Sequence, residues 1–138
     1  MAWQEVFLRY LGLRRRQDKL SDDLRELQMK FPYGAQYGEK TGRSAQSYPP
    51  FAREYEHIVA EQAKATAELS ELGPQVFSAL RSLPKTSWHI VLYQRYNNGL
   101  TMRAIMRKVG YSIGGTQRLH DAAFEWLDAN SPPKDLTK

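Results

Sequence analysis

A chain of 138 residues, 41% apolar and 25% charged, has room for one compact domain or for a small domain with an extended helical element. The absence of cysteine excludes a disulfide framework and thiolate metal sites, and it suits a reducing compartment. No apolar run approaches the ~20 residues of a membrane helix, and Arg14, Arg15 and Arg16 come too early for a signal peptide, so a cytoplasmic chain without membrane contact is expected. The net charge of +5 is modest but unevenly placed: residues 1–80 carry eleven basic and eleven acidic side chains, residues 81–138 nine basic and four acidic. No acid stands between Glu71 and Asp121, a window that holds Arg81, Lys85, Arg95, Arg103, Arg107, Lys108 and Arg118. Such one-sided charge suits a polyanion, because each neutralised phosphate releases condensed counterions.

From the N-terminus, Val6, Tyr10, Leu13, Gln17, Leu20, Leu24, Leu27 and Phe31 alternate spacings of four and three. Phe51, Tyr55, Ile58, Gln62, Ala65, Leu69, Leu72 and Val76 do the same. This spacing holds one helical seam against a partner helix. Phe31-Pro32 ends the first helix, because proline disfavours helical geometry in the residue before it. The segment 32–50, with Gly34, Gly38, Gly42, Ser44 and Ser47, reads as a loop. Folding back about it sets Leu27 on Tyr55, Leu24 on Ile58, Leu20 on Gln62, Gln17 on Ala65, Tyr10 on Leu72 and Val6 on Val76. Every seam position then meets a seam position, and Gln17 and Gln62 fall in adjacent layers, able to bond. An antiparallel, coiled-coil-like hairpin over residues 1–80 is therefore expected. A parallel dimer through one of these helices competes with it and keeps a homo-oligomer open. Gly73-Pro74 is expected to break the second helix, with a short connecting helix over 75–82.

Three helical stretches follow Leu83-Pro84. The first, about Thr86 to Asn97, turns Trp88, Val91, Leu92 and Tyr96 inward and closes at Asn97-Asn98-Gly99. The second starts at the Thr101 cap and runs Met102 to Val109, with Ile105 and Val109 inward. After a tight turn at Gly110, Ser112 caps the third, which buries Leu119, Ala123, Trp126 and Leu127, with Thr116 at its start. Residues 130–138 are expected to fray. Two helices joined by a short glycine turn, the second opened by a serine cap, form a helix-turn-helix arrangement, here within residues 81–129. The second helix of such a unit reads the major groove with its first turns. Those turns present Ile113, Gly114, Gly115, Gln117, Arg118 and Asp121. Gln pairs with adenine and Arg with guanine. Ser112 and the free amides beside it can hold a phosphate, and Arg103, Arg107 and Lys108 can grip the flanking backbone.

The run Leu83-Pro84 … Ile90-Val91-Leu92-Tyr93-Gln94-Arg95-Tyr96-Asn97-Asn98-Gly99-Leu100-Thr101 resembles the start of region four of bacterial sigma factors. Ile105-Met106-Arg107-Lys108-Val109-Gly110-Tyr111-Ser112 and Arg118-Leu119-His120 look closer to the sigma-region-four-like late transcription regulators of phages and prophages, of the RinA and ArpU type. The resemblance covers Leu83–Leu127 well and the rest loosely. It implies an all-α regulator in a bacterial host cell that binds double-stranded DNA near promoters, with contact to RNA polymerase as an option, and no catalysis. Met106 stands where that family has a small alanine, and Gly114 and Gly115 where it has larger residues. The expectation is that the glycines make room for Met106 and leave base reading to Gln117 and Arg118.

Other readings remain. One is an architectural or packaging DNA binder of small-terminase type. Another is a protein-interaction module whose basic face meets an acidic surface on RNA polymerase or another host protein. Arg14-Arg15-Arg16 reads as a solvated helix face offset by Asp18, Asp22 and Asp23. Tyr33, Tyr37 and Tyr48 lie in a segment that reads as a loop, where they can also stack on bases. His57, His89 and His120 lack ligand spacing, so no metal is expected, and no cofactor either. No catalytic constellation stands out: Ser112 and His120 would lie about 12 Å apart along one helix.

Overall fold

The computed structural model describes residues 2–30, 49–131 and 133, and every regular element among them is helical. In chain order these are α1 (Trp3–Lys30), α2 (Pro49–Ser82), α3 (Thr86–Leu92), a π-helical turn (Tyr93–Asn97), α4 (Met102–Val109) and α5 (Ile113–Asn130). The fold class is all-α. None of the described helices is long and apolar enough to cross a membrane. Most of the segment expected to form a loop, and most of the expected tail, lie outside the described residues. At the near edge of that segment Pro49 and Pro50 are already helical. A first-turn amide has no intrahelical partner, so proline loses nothing there.

The chain forms two compact units that do not divide at residue 80: one comprises 13–68, the other 1–12 together with 69–138. In the first, Leu20, Leu27, Phe51 and Ile58 form one buried cluster with Leu24 packed against it. Arg16 reaches Glu61 at 2.9 Å, and Gln17 donates to Thr66 Oγ1 at 2.8 Å. Partners thus run in opposite order along the two helices, with Leu24 packed against the cluster that contains Ile58. Two details differ from that reading. Gln17 bonds Thr66 rather than Gln62. Tyr55 is 40% exposed and stacks on Phe51 at 5.7 Å instead of facing Leu27. Of the basic run, Arg15 is exposed and Arg16 pairs with Glu61 on α2, while Asp22 and Asp23, expected to offset the run, pair with Arg25 and Lys19.

The second unit is built around aromatic rings. Phe7, fully buried, meets Tyr96 at 5.5 Å and Phe124 at 5.1 Å, both edge to face, and Tyr96 meets Phe124 at 5.5 Å. Edge-to-face contact sets a positive ring edge on a negative ring face, so it adds about 1 kcal/mol per pair beyond burial. Trp3, Val6, Tyr10 and Leu11 on α1, Leu72, Val76, Ala79 and Leu80 on α2, Val91 and Leu92 on α3, and Ile105 on α4 complete this core. The α5 stripe is Thr116, His120, Ala123, Phe124 and Leu127, with Leu119 and Trp126 only half-buried. It is displaced from the expected stripe because Phe124 and His120 are drawn toward Tyr96.

Helix α2 continues through Gly73-Pro74 where a break was expected. An internal proline costs about 3 kcal/mol. Here Leu72, Val76, Ala79 and Leu80 are buried on both sides of it, each contributing on the order of 1–3 kcal/mol, so burial outweighs the lost hydrogen bond. Likewise the end of α5 is tied down rather than frayed. The Trp3 backbone amide donates to Asp128 Oδ1 at 2.8 Å, and the Trp3 indole N–H donates to the Ser131 carbonyl. Asp128 thereby caps the start of α1, where a negative charge also suits the helix dipole.

Phe7→Ala is expected to lower the unfolding free energy by about 3–5 kcal/mol, as for other buried aromatics. Denaturant titration measures this, and a loss below about 1 kcal/mol would show that Phe7 does not anchor the core.

Candidate nucleic-acid interface

The π-helical turn, α4 and the start of α5 are each fixed by local chemistry. In the π turn the Asn98 amide reaches back five residues to the Tyr93 carbonyl at 3.2 Å. Gly99 then takes φ 70°, a left-handed conformation that favours glycine. Arg95 Nη1 donates to the Leu100 carbonyl at 3.2 Å, closing the turn. Thr101 Oγ1 accepts from the Ala104 amide at 3.2 Å and so caps α4. Gly110, at φ 79°, ends α4 with its amide on the Met106 carbonyl at 2.9 Å. Ser112 Oγ accepts from the Gly115 amide at 3.0 Å and opens α5. The Thr116 hydroxyl, buried, donates to the Ser112 carbonyl at 2.9 Å and anchors the same turn.

These elements place the candidate residues on the unit's surface. Arg103, Arg107 and Lys108 are exposed on α4. Ser112, Ile113, Gly114, Gln117, Arg118 and Asp121 are exposed at and after the turn, with Gly115 half-buried. Ile113 is 48% exposed, which is unusual for a helix-opening isoleucine that has a core nearby. Among the described residues none of Arg103, Arg107, Lys108 or Arg118 is held in an ion pair. Two other cations of the acid-free window are turned to structural use: Arg95 lies over the Tyr96 ring at 5.8 Å, and Lys85 over the half-buried Trp88 at 4.8 Å.

The two glycines have a different basis from the one expected. A side chain at Gly115 would meet Ser112 Oγ at 3.1 Å and Tyr111 Cβ at 3.7 Å. At Gly114 the nearest group is the Arg118 guanidinium at 4.0 Å. Met106 is half-buried and is near neither position. Gly115 therefore leaves room for the serine cap, not for Met106, while Gly114 is spatially unconstrained.

A hydrogen-bonded chain that the heptad and cap patterns did not reveal runs from the core to this surface. Tyr96 Oη and His120 Nε2 are 2.7 Å apart. His120 Nδ1 lies 2.9 Å from Asp121 Oδ1, which also accepts from Gln117 Nε2 at 2.9 Å. An Asp acceptor at Nδ1 requires the proton on that nitrogen, so in the neutral ring the Tyr96 hydroxyl donates to Nε2. Burial pushes the Tyr96 phenol up. The His120 ring N–H first, then the Gln117 amide, holds the Asp121 carboxyl below the ordinary aspartate range. The available sequence signal was the four-residue spacing of Gln117 and Asp121, which puts the pair on one helix face. Among the described residues no group of three or more His, Asp or Glu side chains converges as a metal site would require.

No protein-family profile, curated protein or solved structure matches the chain.

Gly114→Ala is expected to stabilise the protein by about 0.5–1 kcal/mol, the helix-propensity difference, because nothing rigid opposes the new methyl. Gly115→Ala should forfeit that gain by crowding the cap. Equal melting-temperature shifts for both variants would contradict this account of the cap. A lowered folded value means that the Asp121 bonds contribute fully above the unfolded aspartate value of about 3.9 and are lost as pH falls through the folded value. Carboxyl-carbon NMR should therefore give Asp121 a midpoint below about 3.9, moved part-way up by Gln117→Ala. An ordinary midpoint unaffected by that substitution would remove both bonds.

Proposed function

We propose that the unit formed by residues 1–12 and 69–138 binds double-stranded DNA through a helix-turn-helix of sigma-region-four type, and that the protein is a transcription regulator of the phage kind. The observation that carries this reading is the set of four exposed cations, Arg103, Arg107, Lys108 and Arg118, with no ion pair among the described residues, on two capped helices joined at Gly110. A solvated basic patch needs no such order. Here three of the cations stand on α4, and the first turns of α5 carry Ile113, Gln117 and Arg118 exposed.

Each part has a defined role in this reading. Arg103, Arg107 and Lys108 meet phosphates on α4, and Ser112 with the adjacent free amides meets another at the start of α5. Arg118 offers a guanine its paired donors, Gln117 an adenine its donor and acceptor, and Ile113 a thymine its apolar surface. Gly114 and Gly115 offer bases nothing, so affinity rests mostly on phosphates. The resemblance to sigma region four makes RNA polymerase the protein partner to test.

The test is a duplex selected from a random pool by the full chain, followed by variants measured on that duplex and on scrambled ones. Arg107→Ala should weaken binding to all duplexes about equally. Arg118→Ala should cost about 1–3 kcal/mol on the selected duplex alone and flatten the preference at one base pair. Failure of both substitutions to alter affinity at low salt would remove the groove assignment. Retained capture of RNA polymerase in that case would shift the function to protein docking.

A further inference from the structure

The one acid on the reading face calls for an explanation. Asp121 is the first carboxylate after a long acid-free window, and it stands one helical turn beyond Gln117. A carboxylate near phosphates is repelled, so its place beside Gln117 asks for a role within the protein. Asp121 Oδ1 accepts two N–H groups, from His120 Nδ1 and Gln117 Nε2, both at 2.9 Å. His120 is 4% exposed and cannot swing away: its other nitrogen is 2.7 Å from Tyr96 Oη, and its ring lies edge to face on Phe124 at 5.0 Å. Tyr96 is in turn 2% exposed. A rigid polar strut thus leaves the aromatic core and ends on an exposed glutamine.

Resting on the reading that α5 lies in the major groove, we propose that Asp121 is a positioning residue that contacts no base and that, braced by His120 and Tyr96, it fixes the Gln117 amide for recognition of an adenine. The stoichiometry allows this. A glutamine amide has two N–H donors and a carbonyl acceptor. One N–H goes to Asp121, leaving one N–H and the carbonyl, the pair that an adenine N7 and N6 amino group require. An unbraced surface glutamine must lose rotamer freedom on binding, and a braced one has lost it already. With glycine at 114 and 115, few side chains read bases, so the orientation of Gln117 weighs more in the preference.

The experiment measures the full chain on the selected duplex and on its single-base-pair variants. Gln117→Ala identifies the base pair that Gln117 reads. Asp121→Ala should reduce the preference for A·T at that same pair about tenfold, leave the pair read by Arg118 unchanged, and add little to Gln117→Ala in the double variant. Tyr96→Phe, which removes the hydroxyl but keeps the ring, should shift the same preference in the same direction by a smaller factor. Thermal melts establish that each variant is folded. Three results overturn this proposal while leaving DNA binding intact: an unchanged preference in Asp121→Ala, an equal loss on all duplexes, or a changed preference at a pair that Gln117→Ala does not affect. A wild-type chain with no sequence preference, and with Gln117→Ala and Arg118→Ala both silent, overturns the groove reading and this proposal together.

Discussion

The rings of Phe7, Tyr96 and Phe124 come from three distant parts of the chain, and the rest of the C-terminal unit is arranged around their edge-to-face contact. Burying three large aromatics contributes several kcal/mol, on the scale of a small domain's whole net stability. The cluster makes the first turns of α1 part of the unit that carries the candidate interface. It also holds Tyr96 so that its hydroxyl meets His120, placing a polar group of fixed position directly beneath the exposed face of α5. The Trp3 bonds to Asp128 and Ser131 secure the same assembly at the far end of α5.

Charge and capping act on top of that frame. The Thr101 and Ser112 caps and the left-handed Gly110 define the angle between α4 and α5 through a few local hydrogen bonds, without extensive burial. The 8-residue α4 has little stability of its own, so its placement depends on Ile105 and the core beneath it. Arg103, Arg107, Lys108 and Arg118 are exposed on α4 and α5 with no ion pair among the described residues, whereas Arg16, Lys19, Arg25 and Lys64 on residues 13–68 have acidic partners. The proposed DNA-binding role follows from that contrast rather than from net charge.

Caps and turns were legible in the residues because their chemistry is local: a threonine or serine before an apolar run and a glycine after it suffice. The heptad spacing likewise named Leu20, Leu24, Leu27, Phe51 and Ile58, which share one cluster. What depended on tertiary contact was not legible. Phe7 and Leu11 lie beside the seam of Val6 and Tyr10, and nothing in a single periodicity shows that α1 buries a second face there. Gly73-Pro74 carries a strong local break signal that flanking burial overrides. The roles of Gly115 and Asp121 depend on atoms within hydrogen-bonding distance, which residue type alone leaves open. The ten candidate interface residues rest on the sequence reading, and the strut behind Gln117 was not part of it.

The most direct test of the central claim is the affinity of the unmodified chain for its selected duplex as a function of salt. With three cations and a helix start meeting phosphates, the logarithm of the association constant should fall against the logarithm of salt with a slope of about −3. A slope near zero, or no duplex binding at low salt, would contradict the account.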